Sequence, residues 1–489
     1  MSFFNIKKAM PANNTKRYQK KDPIAHCLDR PDMYVGSTRL RTIQEHVAKK
    51  TDDGYKIYQK SIASSPAILR IFIEALSNAI DNVGRSQGTK TKCTRIKVTI
   101  DKDTGRTSIW NDGDVVPIEI NEEEGCYIHT MIFGQLLTGS NYDDEEERIL
   151  SGRNGLGIKL TNIFSHELTV SGADPSNKLT LEQTWRENMR KTDGPVTERL
   201  TTQARYTEVS WVPDFARFGL TGYTDDIVEM YTRYVIDAAM LTKVSVYLND
   251  DLIPVKTLQD YAKLYNAPTE EKMFIKAPGA EVLLTPSTEF QSISFVNGVY
   301  TRLGGQHVDA WGEALFRPIV DKFNGKDKKA KGKTPKININ DVRQFFRLYV
   351  VATVVRPEFD GQDKNKLEAP EIEAVVKRNQ LATIMKWSVM DHIEDIIRAK
   401  EMYVLKKAEK VTKKEKIDGY DPANKAGGKD SDKCVCFVTE GLSAKTYVVA
   451  GIKEGVYGRK GRDWNGVLPV RGKLLNVRDK AATVIAGTR

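Results

Sequence analysis

Residues 71–82 read IFIEALSNAIDN, and the spacing of this stretch predicts an amphipathic helix. At about 100° per residue, Phe72, Leu76, Ala79, Ile80 and Val83 share one stripe, with Glu74, Asn78, Asp81 and Asn82 set across from it. An ordinary surface helix carries Lys and Glu on its outer face. This one offers a carboxylate and, one turn on, a carboxamide, a pair suited to a base facing a water and a neutral oxygen ligand for Mg²⁺. A helix that merely packs is the plain alternative, so the flanking sequence decides.

Outward from this helix, RIKVTI (95–100) and RTSIWN (106–111) read as strands, and the helical pattern itself extends over about 66–85, with a second near 154–166. A first α/β region runs to about Met240. The strand VSVYLND (244–250) is expected to open a second, which takes in SISFVNGVY (292–300) and FFRLYVVATVV (345–355). Between these, KDKKAKGKTPK (326–336) has six lysines in eleven residues and reads as a solvated loop. Ile384, Trp387, Met390, Ile393 and Ile397 recur at helical spacing within 381–410; DPANKAGGKDSDK (421–433) reads as a linker, and a third α/β unit begins at CVCFVTEG.

The 489 residues allow about three domains. With 40% hydrophobic and 29% charged residues the chain reads as globular, and no stretch has the roughly 20 apolar residues of a membrane span. Cys27, Cys93, Cys126, Cys434 and Cys436 are scattered and odd in number, which argues against a disulfide framework and for a reducing compartment; the Cys434/Cys436 pair is expected to be buried. The six histidines show no metal-ligand spacing, and a net charge of +10 favours a polyanionic partner.

The segment Gly152–Lys159, GRNGLGIK, precedes the apolar pattern LTNIFS. Its glycines admit backbone N–H groups close to an anion, the following helix adds its dipole, and Lys159 can neutralise phosphate charge. A turn that binds nothing is the alternative. The chain has no GxxxxGK[ST], nor the strand and distant acidic residue of a dinucleotide fold.

The Glu/Asn helix, NDGDVVP (111–117) and GRNGLGIK, in that order, resemble the ATP site shared by gyrases, Hsp90, MutL and histidine kinases. RYQKKDPIAHCLDRPDMYVGS (17–37), FGQLLTGSNYDD (133–144), GRNGLGIKLTNIFS (152–165), SFVNGVYTRLGGQHVD (294–309), ANKAGG (423–428) and PVRGKLLNVR (469–478) narrow the resemblance to eukaryotic-type topoisomerase II. The fold it implies is α/β (α+β): a GHKL (Bergerat) ATPase sandwich, an α/β transducer and a truncated TOPRIM fold. The implied boundaries are an N-terminal arm over 1–24, the ATPase domain over 25–242, the transducer over 243–400, a helical linker over 401–433 and the start of TOPRIM over 434–489.

The resemblance also implies roles. Glu74 is the residue that polarises the attacking water, and Asn78 holds Mg²⁺ beside ATP, with Asn82 on the same helix. Asn111 lies on the adenine side, and Ser140 and Asn141 meet ribose and phosphate. Gly152, Arg153, Asn154, Gly155, Leu156, Gly157, Ile158 and Lys159 wrap the triphosphate. Tyr18 crosses to the nucleotide of a second subunit, while Gln362 and Lys364 reach the γ-phosphate from a switch loop. Glu440 holds a cleavage-site Mg²⁺ in the full-length enzyme. Lys326, Lys328, Lys329, Lys331, Lys333 and Lys336 are the candidate contacts to double-stranded DNA. A homodimer closed by ATP, no membrane, and a nucleus, host cell or virion as location complete the expectation. An Hsp90-like or MutL-like protein clamp without DNA cleavage is the competing reading. Four positions depart from the family pattern: Val115 for Gly, Tyr206 for Gly, Asp363 for Thr and Leu442 for Asp. The acidic metal pair and the DNA-attacking tyrosine are not in this sequence, so the chain is expected to be the N-terminal part of a longer enzyme.

Overall fold

The structure is a computed structural model that describes residues 20–136, 138, 155–268, 270–325, 336–361, 363–412, 419–456, 458 and 461–470. It forms two compact units, one of residues 1–315 with 343–384 and one of 316–342 with 385–489.

The first unit opens with α1 (Pro23–Asp29), so the expected arm over 1–24 gives way to helix at Pro23. A long hairpin follows, β1 (Arg41–Thr51) and β2 (Gly54–Ser64), paired antiparallel along its length. The stretch that begins the sequence argument lies in α2 (Pro66–Ser86). Its start is written in two residues: the Ser65 hydroxyl accepts from the Ile68 N–H at 3.2 Å, and Pro66 takes a first-turn position where no N–H is needed. Then come β3 (Arg95–Ile100), β4 (Thr107–Asn111), the short pair β5 (Ile120–Asn121) and β6 (Cys126–Tyr127), α3 (Ile128–Gly134) and α4 (Gly157–Ile163). The chain returns through β7 (Ser165–Asp174), β8 (Leu179–Arg186), β9 (Lys191–Arg199) and β10 (Tyr206–Pro213) to α5 (Asp225–Thr242), β11 (Ser245–Leu248) and β12 (Asp251–Leu252).

Eight of these strands make one sheet, ordered β12-β11-β3-β4-β10-β7-β8-β9. The strand expected to open a second region is therefore part of the first: β11 pairs in parallel with β3, Val246 opposite Ile96. The helix expected near 154–166 is also shorter, because the chain is already in β7 at Ser165. Helices α2, α4 and α5 pack on one another and on these strands. The seam between α2 and α5 is apolar and tight, with Phe72 stacked on Tyr231 at 3.9 Å between ring centres, and Trp211 is fully buried in the same core.

Beyond α6 (Leu258–Lys263), a second sheet of the same unit takes β13 (Met273–Ala277), β14 (Ala280–Pro286), β15 (Gln291–Val296), β16 (Val299–Tyr300) and β17 (Phe346–Ala352), in the order β13-β14-β17-β15-β16. The apolar run 292–300 is thus not one strand. Asn297 and Gly298, both at positive φ, turn it into a tight hairpin, as Asn-Gly favours. A methyl on Gly298 would lie 3.2 Å from Ile80 Cγ2, so this turn packs closely against α2. Helices α7 (Gln306–Gly325) and α8 (Ile339–Arg343), the short antiparallel pair β18 (Glu358–Phe359) and β19 (Leu367–Ala369), and α9 (Arg378–Ile384) follow.

In the second unit, the single helix expected over 381–410 is interrupted: after α9, a new helix α10 runs over Val389–Thr412. β20 (Val435–Glu440) pairs in parallel with β21 (Asn465–Val470), joined through α11 (Gly441–Glu454). The expected linker 421–433 is not free chain. Asp421 bridges to Val467, and the Lys425 ammonium sits 3.8 Å from the centre of the Trp464 ring. The cysteines expected to be buried on β20 are instead half-buried (Cys434) and exposed (Cys436). Among the described residues no helix is long and apolar enough to cross a membrane.

Candidate active site

A cavity of about 620 Å³ opens in the first unit between α2, the ends of β4 and β10, the start of α4, the β15–β16 turn and the loop after β18. That is well within the range of small-molecule sites, roughly 300–1,000 Å³. Its lining has two chemistries. Ile109, Val116, Pro117, Ile132 and Val209 make an apolar bed, and Glu74, Asn78, Lys159 and Lys364 gather polar groups.

Strand alternation builds the bed. Ile109 and Asn111 on β4, and Thr207 and Val209 on β10, point into the cavity, while Trp110 and Tyr206 stack on the opposite face at 6.0 Å. The β4 end is fixed by a turn that admits one residue type. Gly113 has φ +103°, and a methyl on it would meet the Cys93 backbone at 2.7 Å. The Asp112 carboxylate accepts from the backbone N–H groups of Thr94 (2.6 Å) and Arg95 (2.8 Å). Although burial opposes it, the Thr94 bonds hold this carboxyl below its ordinary range.

Two carboxamides then converge on the Asp112 carbonyl, donated by Asn111 at 3.1 Å and Asn82 at 3.2 Å. Asn82 does not lie on the open face of α2 as the wheel suggests. It is buried, and its oxygen accepts from Arg85 at 3.2 Å, so its carboxamide is engaged at both ends. Ile80, placed on the apolar stripe, is only half-buried. Asn78 is exposed to the cavity.

Glu74 meets the glycine-rich turn directly. Its carboxylate lies where a side chain on Gly157 would be, since a Cβ there would come within 2.0 Å of Oε2. Gly157 is therefore required for room, at a backbone conformation other residues tolerate. The other oxygen, Oε1, pairs with Arg70, one helical turn back.

Lys159 behaves differently from the expectation of a phosphate-neutralising arm. It is 2% exposed, and its ammonium donates to the carbonyls of Thr138 and, at 2.6 Å, Gly155. Burial lowers its pKa to about 8. It still lines the cavity, as do Gly155, Leu156, Gly157 and Ile158.

Lys364 lines the cavity from the loop after β18, in a turn where its N–H donates to Gly361 at 3.1 Å and its φ is +54°. Asp363 does not line it; it is exposed, and its carboxylate accepts from the Asn365 carboxamide. Val115 lines the bed outside the left-handed region, so the absence of a glycine there strains nothing.

Tyr18, Ser140, Asn141, Gly152, Arg153, Asn154, Gln362, Lys326, Lys328, Lys329, Lys331 and Lys333 lie outside the described residues. Lys336 is exposed, and Glu440 is exposed at the end of β20, beside Leu442 at 52% exposure. Among the described residues no three metal-ligating side chains gather around Glu440, and no step is assigned to it. Sequence reading missed Arg70, Arg85, Asp114 and Thr207, all on the cavity wall. Only Arg70 carried a signal, its i,i+4 spacing from Glu74.

A mixed sheet backed by helices, with an acid and a carboxamide on one helix facing a glycine turn, defines a nucleotide-binding ATPase fold of the GHKL type. Residues 238–417 match the family described as DNA gyrase B. The chain is similar to the ATPase region of Saccharomyces cerevisiae topoisomerase II, at 30% identity and TM-score 0.69, covering 78% of this chain and 99% of that one. It is similar also to the ATPase and transducer domains of DNA topoisomerase II from Balamuthia mandrillaris, at 32% identity and TM-score 0.71, covering 79% and 98%. DNA topoisomerase 2 of Invertebrate iridescent virus 6 is 39% identical over 96% of this chain, which spans 43% of that relative. The chain belongs to the type II DNA topoisomerase family. It spans less than half the length of the curated relatives it matches, and the Hsp90-like and MutL-like readings are set aside.

Proposed function

We propose that this region is the ATP-operated gate of a type II DNA topoisomerase, in which Mg²⁺-dependent ATP hydrolysis drives dimer closure and DNA strand passage in the full-length enzyme. The observation that carries the reading is the Glu74 carboxylate seated against Gly157, where the glycine-rich turn enters α4. A phosphate chain laid on that turn brings its terminal phosphorus next to a base.

The adenine rests on the apolar bed, with the carboxamide of Asn111 and the hydroxyl of Thr207 at hand for its polar edge. At the other end, Glu74 takes a proton from water as the water oxygen bonds to the γ-phosphorus. The bond to the β,γ-bridging oxygen breaks, leaving ADP and phosphate. Lys364, with Gln362 of the same loop, offsets charge that grows on the transferred group. Asn78 fits Mg²⁺, which takes few protein ligands and completes its shell with phosphate and water; when bound, the ion would neutralise phosphate charge.

In the assembled enzyme, Tyr18 of one subunit completes the nucleotide site of the other, and the 326–336 lysines meet the DNA backbone. The deciding experiment measures phosphate release and nucleotide affinity in Glu74→Gln. Turnover should fall by about 10²–10⁴-fold with affinity nearly kept. Turnover close to wild type would sink the reading. Light scattering with a non-hydrolysable ATP analogue and Mg²⁺ should report a dimer, and an unchanged monomer mass would remove the gate.

A further inference from the structure

Arg70 sits one turn before Glu74 on α2, and its guanidinium Nη2 forms an ion pair with Glu74 Oε1. Pairs at i,i+4 are common on helix surfaces, where they contribute a few tenths of a kcal/mol. Three observations set this one apart. Arg70 is only 8% exposed, so its charge has been withdrawn from water. Its Nε is buried with no hydrogen-bond partner among the described residues, an arrangement proteins seldom keep. And the order is basic residue first, the less favourable orientation for a helical pair. Helix stability therefore does not account for it.

The surroundings of Glu74 suggest what does. Its carboxylate is confined on both sides, Oε1 by the Arg70 guanidinium and Oε2 by the Gly157 backbone. Arg70 itself lines the cavity.

We infer that Arg70 is a positioning residue for hydrolysis: it occupies Glu74 Oε1 and turns Oε2 toward the water that attacks the terminal phosphate. The inference rests on the reading of Glu74 as the base. The ion pair runs from Nη2 to Oε1, so the fixed positive charge sets the place of that oxygen while Oε2 stays beside Gly157. Arg70 neither donates nor takes a proton in the step; the water proton goes to Glu74.

The test compares the full chain carrying Arg70→Gln, Arg70→Lys, Glu74→Gln, or Arg70→Gln with Glu74→Gln. For each, kcat, KM, the affinity for a fluorescent non-hydrolysable ATP analogue and for ADP, and the melting temperature are measured. A base misplaced by about 1 Å costs on the order of 10²-fold, so Arg70→Gln should lower kcat by roughly 10–10²-fold. Analogue affinity should stay within about twofold, because the effect is confined to the transition state. Arg70→Lys, which keeps the charge on a shorter side chain without the guanidinium, should recover part of the loss. In the Glu74→Gln background Arg70→Gln should cost less than about twofold more, since it acts through a carboxylate that is no longer there.

Unchanged kcat in Arg70→Gln overturns the inference. So does a loss that multiplies in full on top of Glu74→Gln. A roughly tenfold fall in analogue affinity with ADP affinity unchanged overturns it differently, by making Arg70 a direct ligand of the γ-phosphate. If Arg70→Gln does not fold, Arg70→Lys supplies the same comparison, and a kcat equal to wild type there shows that the guanidinium is not needed and overturns the inference. Activity surviving in Glu74→Gln strikes the function reading instead, which keeps the two failures apart.

Discussion

Gly157→Ala isolates the contact on which the site depends. Gly157 opens α4 with φ outside the left-handed region, so the backbone accepts alanine, and alanine favours helix over glycine by up to about 1 kcal/mol. The conflict is with one atom group. The added methyl would lie 2.0 Å from Glu74 Oε2 and 3.0 Å from Cδ. Ordinary contact needs about 3.5 Å, so the carboxylate must retreat by roughly 1.5 Å. It is the end of a flexible side chain and retreats at little cost in stability.

The consequence falls on chemistry. A displacement of that size costs on the order of 10²-fold in rate, up to the full 10²–10⁴-fold of a general base. Phosphate release at saturating ATP should drop by at least about 10²-fold while the melting temperature holds or rises slightly. Gly155→Ala is the contrast: at φ +56° a side chain is strained by about 1–2 kcal/mol, so that variant should lose stability. If Gly157→Ala turns over ATP within about threefold of wild type and remains as stable, Glu74 is not the base or does not act from this position.

Lys159, lowered to about 8 by burial, should make stability rise with pH on the alkaline side; a rise of the same size in Lys159→Met would refute this. An unfolded lysine holds its proton to about 10.4, so this residue's contribution to stability should rise between pH 8 and 10.4, by roughly 3 kcal/mol in all. His129 and His307, 1% and 0% exposed, are each lowered by burial to about 4. The stability they lend is present above pH 6.5 and lost as pH falls toward 4, roughly 3 kcal/mol each; urea unfolding at pH 7 and 4.5 should show a smaller drop in the double Asn variant, and equal drops would refute it. Replacing the six lysines of 326–336 by Gln should abolish DNA stimulation of ATPase and leave the basal rate, and stimulation at wild-type level would discard the loop as a DNA contact.

The local elements were legible because their signals are local. The strand at 95–100 alternates buried and exposed residues without a break, and Ser65-Pro66 marks the start of α2. What escaped depends on partners far along the chain. The membership of 245–248 in the first sheet follows from parallel pairing with β3, some 150 residues earlier, which no periodicity encodes. Asn82 reads as an outward polar residue, and the Asp112 carbonyl, delivered from just beyond β4, together with Arg85 makes its burial tolerable. Lys159 reads as a phosphate ligand, and only the fold supplies the two carbonyls that hold it.

The departures from the family pattern follow the same logic. A carboxylate at 363 beside a γ-phosphate would repel it, but this one is exposed, off the cavity wall and engaged with Asn365. Tyr206 replaces the smallest side chain with one of the largest, on the face of β10 away from the cavity, where Trp110 receives its ring. Val115 adds apolar surface to a bed that is already apolar. None of the three alters the contact among Arg70, Glu74 and Gly157. A side-chain change is tolerated around this cavity when strand alternation or a neighbouring amide turns it from the cavity. At Gly157 nothing can do so, because the Cβ itself would occupy the place of the carboxylate.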